Sequence, residues 1–153
     1  RPGRKSGPPP PADPRRGTGR LLETALNSTR PIRRLKGNDR YHLYLTAFST
    51  GYRASELAAF TPGNFLLDAE VPCVTLSNKK TKNRKVGSIP LAPGVVAQLR
   101  TYLAGKPANS PVWPGTWHKH AAEVLKLDLE AAGIPYALEG PHGVTFADFH
   151  ALR

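Results

Sequence analysis

Cysteine is nearly absent from this sequence. Cys73 is the single one in 153 residues, which excludes an internal disulfide and suits a reducing cytosol. No apolar run approaches the ~20 residues that span a bilayer. The basic N-terminus is not followed by an apolar stretch of the kind a signal peptide carries. No internal repeat is visible, so a solenoid or array is excluded. Zinc-type ligand spacing is missing too. His118 and His120 stand two apart in a segment expected to be helical, about 200° round the axis, so they diverge. No metal and no cofactor is expected. Acidic residues are also scarce: 11 Asp and Glu against 22 Lys and Arg, a net charge of +11. Such a balance implies a polyanionic partner, most often nucleic acid.

The excess of positive charge is uneven. Residues 1–40 hold 11 Lys and Arg and 3 acids; residues 41–153 hold 11 and 8. Most of the net charge therefore belongs to the N-terminal stretch. Residues 1–17 are rich in proline and arginine and cannot bury apolar surface, so they are expected to be a disordered arm. Residues 18–153 are long enough for one domain with a core.

Along that domain the pattern alternates between helix and strand. Leu21–Asn27 is a short helical pattern, and Arg30–Arg40 a basic loop broken by Pro31 and Gly37. Tyr41–Ser49 is apolar on most sides and predicts a buried helix, which Gly51 ends or bends. Ala54–Phe60 is a second helix. Pro62 and Gly63 mark a turn, with Thr61 placed to cap a single helical turn after it. Val71–Ser77 and Lys85–Leu91 are β-like and predict a hairpin with the cationic tip Asn78–Arg84. Pro90 puts the second strand at an edge. Pro93–Leu103 is helical, with Val95, Val96, Leu99 and Leu103 on a stripe. Thr116–Ala132 is the clearest helix, closed by Gly133 and Pro135. Thr145–Arg153 begins another. The fold class is α+β, mainly helical, with a small antiparallel hairpin or sheet beside the helices.

Three short segments carry candidate chemistry. In Thr50-Gly51-Tyr52-Arg53-Ala54-Ser55-Glu56-Leu57 an arginine opens a helix just after a glycine bend, an arrangement that suits a phosphate. The hairpin tip holds Lys79, Lys80, Lys82, Arg84 and Lys85, which can follow a nucleic-acid backbone. In Phe149-His150-Ala151-Leu152-Arg153 a histidine and an arginine three apart share a helix face.

In order and spacing these segments resemble the tyrosine recombinase (phage integrase) family. That family has an arginine in T-G-x-R-x-S-E-L, a lysine in a β-hairpin, and then H-x-L-R. The segments Glu56–Pro62, Lys82–Arg84, Asp128–Tyr136 and Asp148–Arg153 look like the catalytic domain of a bacterial integrase. The resemblance runs from about Leu21 to Arg153.

It implies a strand-exchange reaction without metal or nucleotide energy, in which a tyrosine attacks a DNA phosphodiester. Arg53 and Arg153 match the two arginines that hold the non-bridging oxygens. Lys82 matches the general acid at the leaving 5′-oxygen, with Lys80 the alternative. His150 matches the histidine that supports proton transfer. Glu56 is read as structural support. Lys79, Lys80, Arg84 and Lys85 are expected DNA contacts. The implied partner is double-stranded DNA, with a homo-oligomer on paired sites, in a prokaryotic cytoplasm and nucleoid-associated on DNA.

None of Tyr41, Tyr44, Tyr52, Tyr102 and Tyr136 matches the nucleophile, which in the family follows H-x-L-R. The sequence is therefore expected to be a partial catalytic domain that cannot cleave DNA alone. A non-catalytic DNA-binding or regulatory remnant is the alternative.

Overall fold

A computed structural model describes residues 14–75 and 88–134. The described residues form five helices and a small sheet. The helices are α1 (Pro14–Asn27), α2 (Gly37–Thr50), α3 (Ala54–Ala59), α4 (Pro93–Leu103) and α5 (Ala121–Ala131). Strands β1 (Phe65–Leu66), β2 (Cys73–Thr75) and β3 (Ser88–Pro90) pair antiparallel in that order. Single 3₁₀ turns, Pro62–Asn64 and Trp117–His120, precede β1 and α5.

α1 starts earlier than the sequence pattern suggests. Residues 14–17, expected in the arm, are helical, while residues 1–13 lie outside the described residues. Pro14 occupies the first helical position, where its missing N–H is harmless. Leu21 and Ala25, four apart, are fully buried where α1 packs on α2 and α5.

α2 also starts early, at Gly37 and not at Tyr41. An Asp39 carboxylate oxygen accepts the Lys36 N–H at 3.0 Å, which satisfies a donor left free at the helix start. The glycine is required by a close approach. A Cβ on Gly37 would collide with the carbonyl oxygens of Ala25 and Ser28, at the end of α1. The helix is buried nearly all round, as its sequence predicts: Leu43, Tyr44, Thr46, Ala47 and Phe48 are all inside. Gly51 closes it at φ 81°, donating its N–H to the Ala47 carbonyl.

Between α1 and α2 the expected loop contains a two-residue turn. Ile32 and Leu35 exchange both backbone hydrogen bonds, at 3.0 and 2.8 Å. Arg33 and Arg34 at its tip have φ of 50° and 69°. Positive φ at both central residues is the mark of a type I′ turn, usually made with Asn and Gly. For other L-residues that conformation costs roughly 1–2 kcal/mol each.

The two expected strands pair antiparallel, over Cys73–Thr75 and Ser88–Pro90, within the runs the sequence suggests. Val74 faces Ile89, and Cys73 faces Pro90 on the edge strand β3. β1 is a third strand the sequence pattern did not suggest; it places Phe65 opposite Val74. Phe65 and Val74 are buried and Ile89 half-buried, so one face of the sheet closes on the core.

α4 has the predicted bounds, and Val96, Leu99 and Leu103 are buried on it. The long helix expected over 116–132 is divided. His120, at φ −128° and ψ 34°, separates the 3₁₀ turn from α5. Trp117 is fully buried in that turn and donates its indole N–H to the Trp113 carbonyl at 2.7 Å. α5 ends as predicted. Gly133 has φ 74°, its N–H reaches the Glu130 carbonyl, and Ile134 N–H reaches Leu129. This is a Schellman closure.

Candidate functional site

Arg53 is the one proposed catalytic residue among the described residues. Its backbone is held on both sides. Thr50 Oγ1 bonds the Thr46 carbonyl at 2.7 Å and accepts the Tyr52 N–H at 3.2 Å. Tyr52 is buried, its ring edge-on to Phe60 at 5.0 Å. The Arg53 N–H donates to Glu56 Oε1 at 2.8 Å, and its carbonyl accepts the Leu57 N–H. Glu56 thus caps α3, the supporting role read for it in the sequence.

The Arg53 side chain is exposed. It makes no ion pair or hydrogen bond with the other described residues, although 11 acids are present in the chain. α3 is six residues long, too short for a strong dipole. An anion here would therefore be held by the guanidinium rather than by the helix.

The base of the hairpin is tied to the end of α3. Asn64 Oδ1 accepts the Thr61 N–H at 2.8 Å and Asn64 Nδ2 donates to the Thr75 carbonyl at 2.9 Å. Thr75 is the last residue of β2. The basic tip itself, with Lys79, Lys80, Lys82, Arg84 and Lys85, lies outside the described residues. His150 and Arg153 lie outside them as well.

The described tyrosines are built into the structure. Tyr44 donates to Asp128 Oδ2 at 2.5 Å. Complete burial, and then the Asp128 charge, push its hydroxyl well above the usual range. Tyr102 donates to Asp39 Oδ1 at 2.7 Å, and burial followed by that bond raises its pKa strongly. Burial also raises Tyr52, with Glu56 and Cys73 adding to the effect. Tyr41 is half-buried. It lines a cleft of about 580 Å³ with Lys36, Asp39, His42, Tyr102 and Lys106.

Sequence reasoning missed a buried charged cluster. Arg40 grips Asp128 with Nε and Nη2, at 2.7 and 3.0 Å. Its Nη1 donates to the Arg30 and Leu35 carbonyls at 2.9 and 2.7 Å. The available signal was Asp128 itself, an acid on the apolar face formed by Val124, Leu125 and Leu129. His118 Nδ1 is buried without a hydrogen-bond partner among the described residues. Among the described residues no three metal-ligating side chains gather, and no helix is long and apolar enough to cross a membrane.

No family model matches the sequence, and no curated protein matches it. Among solved structures the chain is similar to the crystal structure of XerA recombinase, with a TM-score of 0.61. It has a recombinase-like fold. The likeness covers 99% of this chain and 50% of that one, at 20% sequence identity. The chain thus spans half the length of that recombinase. The α+β class expected from sequence, mainly helical with a small antiparallel sheet, is the architecture observed.

Proposed function

We propose that the recombinase-like domain belongs to a protein that breaks and rejoins DNA strands for site-specific recombination or integration. Within it, Arg53, Lys82, His150 and Arg153 activate the scissile phosphate. The observation that carries this reading is Arg53, an exposed arginine with no ion pair among the described residues, on a backbone anchored on both sides, within a recombinase-like fold.

The chemistry requires such a group. As a tyrosine oxygen bonds to phosphorus and the bond to the 5′-oxygen breaks, charge builds on the non-bridging oxygens. Fixed cations facing them stabilise that state. Arginine suits the task because its planar fork binds two oxygens and stays charged. Arg53 and Arg153 are the proposed pair. Lys82, or Lys80, gives its proton to the leaving 5′-oxygen, and His150 supports proton transfer at the tyrosine or phosphate. Lys79, Lys80, Arg84 and Lys85 hold the duplex near the hairpin. No metal or cofactor is needed. The protein acts in the cytoplasm, and as an oligomer on paired sites.

The nucleophile is not among these 153 residues. Tyr44 is committed to the buried Asp128 and Tyr102 to the half-buried Asp39, and Tyr41, Tyr52 and Tyr136 do not match its position. A phosphotyrosine trap on a nicked duplex tests the whole reading. The 153-residue chain should give no covalent adduct. The protein expressed with the coding sequence that follows Arg153 should give one, and Arg53→Ala should abolish it. DNA binding with no adduct from the longer protein favours the non-catalytic DNA-binding remnant.

A further inference from the structure

We propose that Arg33 and Arg34 form a second DNA-backbone site, a phosphodiester clamp away from the scissile phosphate. This rests on the DNA reading above and adds to it a contact outside the catalytic set.

The two arginines share a groove of about 300 Å³ with Gly115 and Thr116. Its lining offers two guanidinium groups and a threonine hydroxyl, around a glycine that leaves the space open. Among the described residues no carboxylate lines it, though Glu123 pairs with Arg33 beside it. Donors of this kind, with fixed positive charge, suit a phosphate oxygen. Arg33 is aimed by Glu123, which accepts one Nη2 hydrogen bond at 2.8 Å; the rest of the guanidinium has no partner among the described residues. Arg34 is exposed and has no hydrogen bond or ion pair with other described residues.

The backbone supplies the second argument. A turn with both central residues at positive φ is met without strain by Asn and Gly. Neither arginine side chain helps to close it. The turn is instead imposed from below. Ile32 and Leu35 are buried, their backbones are reciprocally bonded, and Arg40 Nη1 holds the Leu35 and Arg30 carbonyls. Strain maintained by surrounding structure, with charged side chains at its tip, is the pattern of a binding site.

The location separates this site from Arg53 while coupling the two. Gly115 and Thr116 lead into the Trp117–His120 turn, which packs on α3, the helix capped at Arg53. The Trp117–His120 turn thus stands between the two arginine sites, and on this proposal each holds a different phosphate of one duplex.

The test is equilibrium binding of the 153-residue protein to a labelled duplex over a range of salt. Arg34→Gly removes the charge and relieves the backbone, so its thermal midpoint should rise. Its DNA affinity should fall by roughly tenfold, equally for unrelated sequences, and the slope of log K against log salt should shrink by about one. Arg34→Ala should lose the same affinity without the gain in thermal midpoint. Arg100→Ala, which removes an equal charge paired with Asp68 at 2.7 Å on another surface, should leave the slope unchanged. Wild-type affinity and slope in both Arg34 variants, or an equal loss in Arg100→Ala, would overturn the clamp and leave the DNA reading standing. Tighter binding to RNA of the same length would overturn the choice of partner. Failure of the wild-type chain to bind duplex at any salt would overturn clamp and DNA reading together.

Discussion

Arg40 and Asp128, 88 residues apart in sequence, meet as a two-pronged ion pair whose side chains are 1% and 3% exposed. The pair ties the first turn of α2 to α5 and, through two carbonyls, holds the loop before α2. Tyr44 completes it with a third hydrogen bond to the same carboxylate.

Such a pair is weak evidence of net stabilisation, because both charges lose their water. Breaking it is different, because the remaining charge is left buried alone. Asp128→Ala should destabilise the domain by about 3–5 kcal/mol. Arg40→Met with Asp128→Leu should recover much of that loss. Chemical denaturation of the three proteins checks this. Equal losses in the single and double variants would show that the isolated charge is not the cause.

His42 makes stability depend on pH. Its ring stacks on Tyr102 at 4.0 Å, and Nδ1 lies 2.9 Å from the Asn38 carbonyl. Burial pulls its pKa below the ordinary 6.5, against the opposing pull of Asn38 and Asp39; Lys106 acts with burial. The folded pKa is thus the lower one. Below pH 6.5 the unfolded chain binds a proton that the folded chain does not. Stability is complete above that value and falls as pH drops, until the folded pKa is passed. His42→Phe retains the stack and should flatten that part of the profile. An unchanged slope in the variant would assign the dependence to another group.

Gly37 tests the crossing of α1 and α2. Gly37→Ala places a methyl group against two backbone carbonyls, which cannot rotate away as a side chain could. A loss of about 1–3 kcal/mol or more is expected, as for other overpacked sites. Gly94→Ala is the control, because a Cβ there meets nothing within 4 Å. Thermal denaturation distinguishes the two.

Arg53 should separate stability from chemistry. Its backbone makes the cap while its side chain has no partner among the described residues, so Arg53→Ala should change stability by no more than about 0.5 kcal/mol. In a protein that carries the nucleophile, strand cleavage should fall by about 100-fold or more. Glu56→Ala should do the reverse. It removes the carboxylate that caps α3 and should cost about 1 kcal/mol, while leaving the guanidinium in place. Paired melting and cleavage assays on both variants check the division of roles.

Local pattern alone carried much of this fold. Gly51 and Gly133 closed their helices where expected, because a left-handed position after an apolar stripe is a demand glycine meets without steric cost. α4 followed from its periodicity, and the pairing of β2 with β3 from two short runs rich in branched residues. The break at His120 did not, since Thr116–Ala132 reads as one amphipathic run, and neither did β1, a two-residue strand too short to show a period. Arg53 was legible because a short motif holds both the arginine and the glutamate that caps its helix.

The sequence by itself determined α2, α4 and the two paired strands β2 and β3, and it singled out the candidate phosphate-binding residues, because those readings depend on neighbours a few positions apart. Tertiary structure alone decided what the charges do. Arg33, Arg34, Arg40 and Arg53 look alike as basic residues in one dimension. Folding buries Arg40 against Asp128, pairs Arg33 with Glu123, and leaves Arg34 and Arg53 exposed without partners among the described residues. The free energy of a charge depends on the water it keeps and the partner it meets, and both are set by residues distant in the chain.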